Sequence, residues 1–333
     1  MLITDRQAVL DVYAEAGQRQ WVLPCFCSEN LTTTEAVLAA VADHGRQIGQ
    51  PNLPVTLALT NQYAPRPQSI FYSHTRQWEV GLRLFLADLQ VLTAPPSPYA
   101  ALRVLVHLDH IQYDLDHDLL GWDLRQFSSI MFDASKLPLA ENIRRTAAFV
   151  QAQGRNIVIE GACDEIVDAT GSETGHLTTP EDAGRYVGQT GVDFIVANLG
   201  TEHRAQSAEL QYHGELARQI AGRIGPKIVL HGCSSVPAEQ VRNLYADGVC
   251  KVNIWTALER DSAPALFEQM ISNAARIVGS RQATELRERG LLGDRGDLSG
   301  KPELSHYTTC YRQEIIYQEM IKIVRGYLNL WYR

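Results

Sequence analysis

Three features predict an α/β fold of the (β/α)8 TIM-barrel type with a C-terminal helical extension: eight short apolar runs, amphipathic stretches between them, and a polar cluster closing nearly every run. The runs are Trp21–Phe26, Val55–Leu59, Val104–Leu108, Ser129–Phe132, Asn156–Glu160, Phe194–Leu199, Lys227–Leu230 and Lys251–Ile254. They are rich in Val, Ile, Leu and Phe rather than alternating, the pattern of strands covered on both faces in a parallel sheet. Between them, Thr33–Gln47, Leu139–Gln153, Thr179–Thr190, Glu209–Gly222 and Ala238–Gly248 have helical spacing. Glu181 and Asp182 follow Pro180 at a helix start, and Gly191 and Gly248 follow helix ends.

The clusters decide between two parallel architectures. They are Ser28–Asn30, Thr60–Asn61, Asp109–His110, Asp133–Ser135, Glu160, Thr201–His203, His231–Ser235 and Asn253–Thr256. A barrel gathers every strand C-terminus on one face, whereas a doubly wound sheet uses mainly the ends beside its switch point. No GxGxxG follows an early strand, so a dinucleotide fold lacks its usual support. The chain reads as one domain over 1–333, with the barrel at about 1–260 and the helical extension at about 261–333.

Two segments fall outside the eight units. Gln62–Trp78 is a polar, Pro- and aromatic-containing insertion after the second strand, read as a loop beside the active face. Gly293–Leu304, with Gly293, Gly296, Gly300 and Pro302, reads as a linker before a last helix at about Thr308–Leu328. Tyr311, Ile315, Tyr317 and Ile321 give that helix an apolar side to pack on the barrel or on a partner subunit.

Composition removes several function classes. With 45% hydrophobic and 20% charged residues, the chain is neither disordered, collagenous nor a coiled coil. Thirty basic against 38 acidic residues leave a net charge of −8, which gives no support to nucleic-acid or anionic-membrane binding. No window approaches the roughly 20 apolar residues of a membrane span. The N-terminal Met1-Leu-Ile-Thr-Asp-Arg-Gln lacks the basic-then-apolar pattern of a signal peptide. Six cysteines are too few for a disulfide scaffold in 333 residues, which suggests a reducing, cytoplasmic compartment. Cys25 and Cys27 have no second pair to complete a zinc knuckle and are read as strand residues facing opposite sides.

The chemistry concentrates in His107-Leu-Asp-His110 at the third strand's end. Neutral imidazole suits Zn²⁺, and a catalytic zinc site takes three protein ligands and keeps one position open. His203 and His231 stand in the same relation to the sixth and seventh strands. One such histidine is commonly structural; three aimed at a common axis are read as a metal site. Asp109 precedes His110, so regular strand geometry sends the two side chains to opposite sides. It is either a carboxylate orienting a histidine or a general acid/base beside the metal. His107 lies on Asp109's face, deeper in the barrel, and reads as structural.

HLDH at 107–110, GTEH at 200–203, VLHGCSS at 229–235 and KVNIWT at 251–256 together resemble the class II, metal-dependent ketose-bisphosphate aldolases (fructose/tagatose-bisphosphate aldolase family). FDAS (132–135), LPLAEN (137–142), TTPEDA (178–183), GVDFIVANLGT (191–201) and the spacing from His203 to His231 extend the resemblance from about residue 1 to 256. It implies that His110, His203 and His231 hold one zinc per chain, with a monovalent cation as a further ion. Asp109 would shuttle a proton at the hydroxyl beside the bond cleaved, through a zinc-stabilised enediolate. A carboxylate after the fifth strand would protonate that enediolate. Glu165 is chosen for it, with Asp164 and Glu173 as rivals, because the segment 160–165 lacks the family's Gly-Gly-Glu-Glu. Ala162 stands where the family often has a second glutamate. The resemblance further implies a sugar or sugar-phosphate substrate and a homodimer or homotetramer.

The departures gather in the phosphate pocket. The family's Gly-Gly-Ser-Gly is here Gly232-Cys233-Ser234-Ser235, and side chains there obstruct backbone N–H approach to phosphate oxygens. Arg204 replaces a glycine, while Trp255 and Ala257 replace polar or acidic residues between and beyond the matching Asn253 and Thr256. Asn30, Thr60, Arg204, Gly232, Ser234, Asn253, Trp255 and Thr256 are therefore expected to bind substrate, Arg204 offering a cationic fork to an anionic group. The leading expectation is an aldolase with an altered, anionic ketose substrate. The alternatives are a metal-dependent isomerase or epimerase on a polyol or keto-acid, and a non-catalytic partner of an active aldolase.

Overall fold

In a computed structural model, which describes residues 1–165, 176–201, 211–294, 296 and 298–332, eight parallel strands close into a barrel. They are β1 (Leu23–Cys27), β2 (Pro54–Thr60), β3 (Arg103–Gln112), β4 (Ser129–Asp133), β5 (Val158–Ala162), β6 (Phe194–Val196), β7 (Ile228–Leu230) and β8 (Val249–Ile254). Each pairs with its sequence neighbours, and β8 closes on β1 with Cys25 opposite Asn253. All eight apolar runs are thus strands, with ends moved by a few residues.

Parallel neighbours need a crossover, and helices supply most of them. After an N-terminal α1 (Arg6–Gln18) come α2 (Leu31–Gln47), α3 (Trp78–Leu92), α4 (Leu139–Gln153), α5 (Pro180–Thr190) and α6 (Gly214–Ile224). Short helical turns at His117–Leu120 and Ala238–Val241 serve the β3–β4 and β7–β8 connections. The helix ends follow local chemistry. The Thr179 side chain accepts the Asp182 N–H at the start of α5, and Gly191 ends it at φ 72°. The predicted helix over Ala238–Gly248 is cut to its first four residues, and α1 and α3 lie outside the stretches read as helical.

Beyond β8 come α7 (Thr256–Ser272), α8 (Ser280–Glu288) and α9 (Thr309–Trp331), with short helical turns among them. The last helix packs on α2 and α7, burying Met320, Ile321, Val324, Leu328 and Trp331. Trp331 Nε1 donates to Val241 O at 2.9 Å, and the Tyr332 hydroxyl donates to Pro54 O at 2.5 Å. The extension therefore covers its own barrel. Among the described residues, no helix is long and apolar enough to cross a membrane.

Aliphatic side chains fill the layer between strands and helices, whereas the barrel interior also holds buried charged and polar groups. Lys251 Nζ lies 2.6 Å from Glu160 Oε1, both fully buried, and β8 does not neighbour β5, so the bond crosses the interior. Burial pushes the Lys251 ammonium down, and the Glu160 charge more than reverses this and holds it above its ordinary value. Cys25 and Cys27 correct the expectation of opposite faces. Both join Ala58 and Trp255 in one apolar cluster, because residues two apart on a strand share a face.

Candidate active site

Regular strand geometry fails at the end of β3. The pairing of β3 with β4 slips between Leu108 and Ile111, and His110 adopts φ 48°, a left-handed conformation that costs a non-glycine residue about 1–3 kcal/mol. The slip corrects the expectation that Asp109 and His110 point to opposite sides. One ligand atom each from Asp109, His110 and His231 lie within 4.8 Å of one another, and all three residues are buried.

Surrounding groups hold the strained histidine. The Tyr63 ring stacks on His110 at 4.4 Å, and the His231 ring meets it edge-on at 5.0 Å. His110 Nδ1 donates to Asp133 Oδ2 at 3.1 Å, which leaves Nε2 as the lone-pair nitrogen. Burial alone would raise the Asp133 carboxyl; the His110 hydrogen bond and charge, with Ser135, hold it well below the usual range.

Asp109 is held on both oxygens. Asn253 Nδ2 donates to Oδ1 at 3.0 Å, and the Cys27 thiol donates to Oδ2 at 3.4 Å. Burial again opposes ionisation, but His110, His107 and His231 together hold the carboxyl well below its ordinary value. His107 is buried as read: its Nδ1 is 2.8 Å from Ser129 Oγ, while Nε2 lies 3.7 Å from Asp109 Oδ1 and 3.6 Å from Glu160 Oε2. Two imidazoles and a carboxylate, buried and convergent, are a donor set that fits Zn²⁺ or a similar divalent ion.

These groups line one open cleft. Its walls include Thr60, Gly232, Ser234, Asn253, Trp255 and Thr256, and also Tyr63, Arg66 and Gln68 from the segment after β2.

A family model described as "Fructose-bisphosphate aldolase class-II" matches residues 7–291. The chain belongs to this family. It is 35% identical over 161 residues to fructose-bisphosphate aldolases of Streptococcus pyogenes, an alignment covering 46% of this chain and 53% of theirs. The chain thus spans about half the length of the curated relatives it matches. Among solved structures, the Campylobacter jejuni fructose-bisphosphate aldolase superposes with TM-score 0.76 at 20% identity, over 99% of this chain and 95% of the other. The YdjI aldolase of Escherichia coli gives 0.66 at 18%, over 99% and 97%. A putative fructose-1,6-biphosphate aldolase of Coccidioides immitis gives 0.66 at 21%, over 98% and 96%. At these identities, the structural likenesses establish the shared barrel fold.

Set against the aldolase expectation, Asp109, His110, His231, Thr60, Gly232, Ser234, Asn253, Trp255 and Thr256 meet at one cleft. His203, Arg204 and Glu173 lie outside the described residues. Glu165 is exposed, with its backbone carbonyl accepting from Asn198 Nδ2 at 3.3 Å, and Asp164 accepts the Thr178 hydroxyl at 2.7 Å. Asn30 is not among the cleft-lining residues: its side chain accepts the Thr33 N–H at the start of α2. Thr60 lines the cleft but spends its hydroxyl on the loop, donating to Arg66 O and accepting from Gln68 N–H.

Sequence reasoning missed Cys27 as a partner of Asp109, Asp133 as the partner of His110, and Arg66, Gln68 and Tyr63 as cleft residues. Asp133 carried a signal, since it was read at the end of the fourth strand, beside the third. Arg66 sat inside the insertion read as a loop beside the active face, flanked by Pro65 and Pro67.

Proposed function

We propose that this chain is a zinc-dependent lyase that reversibly cleaves a ketose bearing a phosphate or other anionic group. The observation that carries the reading is the convergence of Asp109 with His110 and His231 at the floor of the cleft. His110 and His231, joined by His203, are the proposed ligands for one zinc per chain. Zinc held there supplies Lewis-acid stabilisation of negative charge on substrate oxygens.

Asp109 takes the proton from the hydroxyl beside the breaking carbon–carbon bond. The bond's electron pair stays with the ketone-derived fragment, and the other fragment leaves as an aldehyde. Asn253 and Cys27 fix the carboxylate's orientation, so its remaining lone pairs face a defined position. Glu165 is the proposed acid that protonates the ketone-derived fragment. Asn253 Oδ1 and Trp255 Nε1 are buried with no hydrogen-bond partner among the described residues, an acceptor and a donor that substrate hydroxyls complete. Leaving each unmet costs about 1–3 kcal/mol. Gly232, Ser234 and Thr256 complete the proposed substrate contacts, and Arg204 is kept as a cationic contact. The full set of free cysteines supports a reducing, cytoplasmic compartment, and a homo-oligomer is proposed from the family resemblance.

The test is Asp109→Asn with a panel of phosphorylated and non-phosphorylated ketoses and aldehyde trapping. The wild-type protein should carry about one zinc and release aldehyde. The variant should keep its zinc and lose 10²–10⁴-fold in kcat. A wild-type protein that binds zinc yet releases no aldehyde from any ketose overturns the reading.

A further inference from the structure

Arg66 is the only cationic side chain among the described residues that line the cleft, and nothing in its motif context assigns it a task. Its guanidinium is fixed from two directions. Nε donates to Glu29 Oε2 at 2.9 Å and Nη2 donates to the same oxygen, while the Phe71 ring lies 4.5 Å from Cζ. Glu29 is itself locked, its Oε1 accepting from Gln68 Nε2 at 3.0 Å, and Gln68 Oε1 accepts the Thr60 N–H at 3.0 Å. The end of β2 and the start of α2 thus hold one arginine in one orientation.

The side-on pairing leaves the end-on edge. A guanidinium has about five N–H donors in a planar fork, and Glu29 engages the Nε–Nη2 side. Among the described residues, Nη1 makes no hydrogen bond, and the side chain is 35% exposed at the cleft. A buried salt bridge that only closed a loop would have no need to leave the fork's outer edge on the cleft wall.

We propose that Arg66 is an anion-binding residue of this cleft, its Nη1–Nη2 edge receiving a carboxylate or phosphate carried by the substrate. The proposal rests on the reading of the cleft as a ketose site and deepens it by assigning the charge recognition to the segment after β2. Trp255 and Ile254, which also line the cleft, offer no competing charge, and Arg76, whose Cζ also lies 4.5 Å from the Phe71 ring, adds positive charge nearby. Glu29 and Glu259 temper that charge, so one oxyanion, not an extended polyanion, matches the local charge.

The test measures binding, not turnover, so a failure of the aldolase reading leaves it intact. Zinc-loaded full-length protein is titrated calorimetrically with glycerol 3-phosphate, glycerate and glycerol, three ligands on one carbon skeleton. Wild type should prefer one of the oxyanions to glycerol by at least tenfold, and the phosphate and carboxylate arms identify which. Arg66→Gln should erase that preference without changing glycerol binding. Arg66→Lys, which keeps the charge beside Glu29 but not the fork, should weaken the preferred oxyanion by three- to tenfold and serves if the Gln variant fails to fold. Wild-type oxyanion preference retained in a folded Arg66→Gln or undiminished in Arg66→Lys overturns the proposal.

Discussion

Deep in the cleft, Asp109, His110 and His231 sit at strand ends whose backbones are tied into a closed barrel. At its mouth, Arg66 and Gln68 sit on the segment after β2, held mainly by side chains, with Glu259 of α7 close enough to feel the Arg66 and Glu29 charges. The floor is positioned by main-chain register and a buried charge network. The mouth depends on a few long-range hydrogen bonds that a short substitution can undo. The contrast matches a division of labour in which the barrel supplies chemistry and the loops choose the substrate.

The largest test of this contrast lies beneath the floor. Lys251→Met leaves Glu160 buried without its counter-charge and should cost about 3–5 kcal/mol in denaturant unfolding. Adding Glu160→Gln should recover most of that loss, because no buried charge then remains unpaired. If the single variant unfolds like wild type, the floor is not held by its charge network, and the comparison with the mouth collapses.

A smaller effect probes the floor's own geometry. Asp133→Asn keeps an acceptor near His110 Nδ1 but removes the negative charge that fixes the ring. Zinc affinity, measured against a competing chelator, should fall by about 10–100-fold with little change in stability. An unchanged affinity would mean that the strained backbone at His110 alone sets the ring.

How much of this was legible follows the same division. The strands could be read because continuous apolar runs report burial on both faces, and strand ends could be read because polar residues punctuate those runs. His110 and His231 were visible for that reason. The slip between Leu108 and Ile111 was not, since a bulge leaves no compositional mark in a strand of ordinary residues. Without it, strand alternation wrongly separated Asp109 from His110. The mouth was least legible. Gln68 meets Glu29 across 39 positions, and the Lys251–Glu160 pair spans 91, so neither is within reach of local periodicity.

The finest test returns to the mouth, where Glu259 stands near Arg66 and Glu29. Burial, reinforced by the Glu29 charge and opposed by Arg66, pushes the Glu259 carboxyl up to about 7. Its value in the unfolded chain is about 4.5. The folded state therefore binds the proton more tightly, and stability falls as pH rises from about 4.5 to about 7, then levels. Glu259→Gln removes this penalty, so it should stabilise the protein at pH 8 by on the order of 2 kcal/mol and leave stability at pH 4 nearly unchanged. Combined with Arg66→Gln, the effect of Glu259 should move to higher pH, because the one opposing cation is gone. Equal stabilisation at both pH values would show that Glu259 acts through packing, and that the mouth, like the floor, is built on shape before charge.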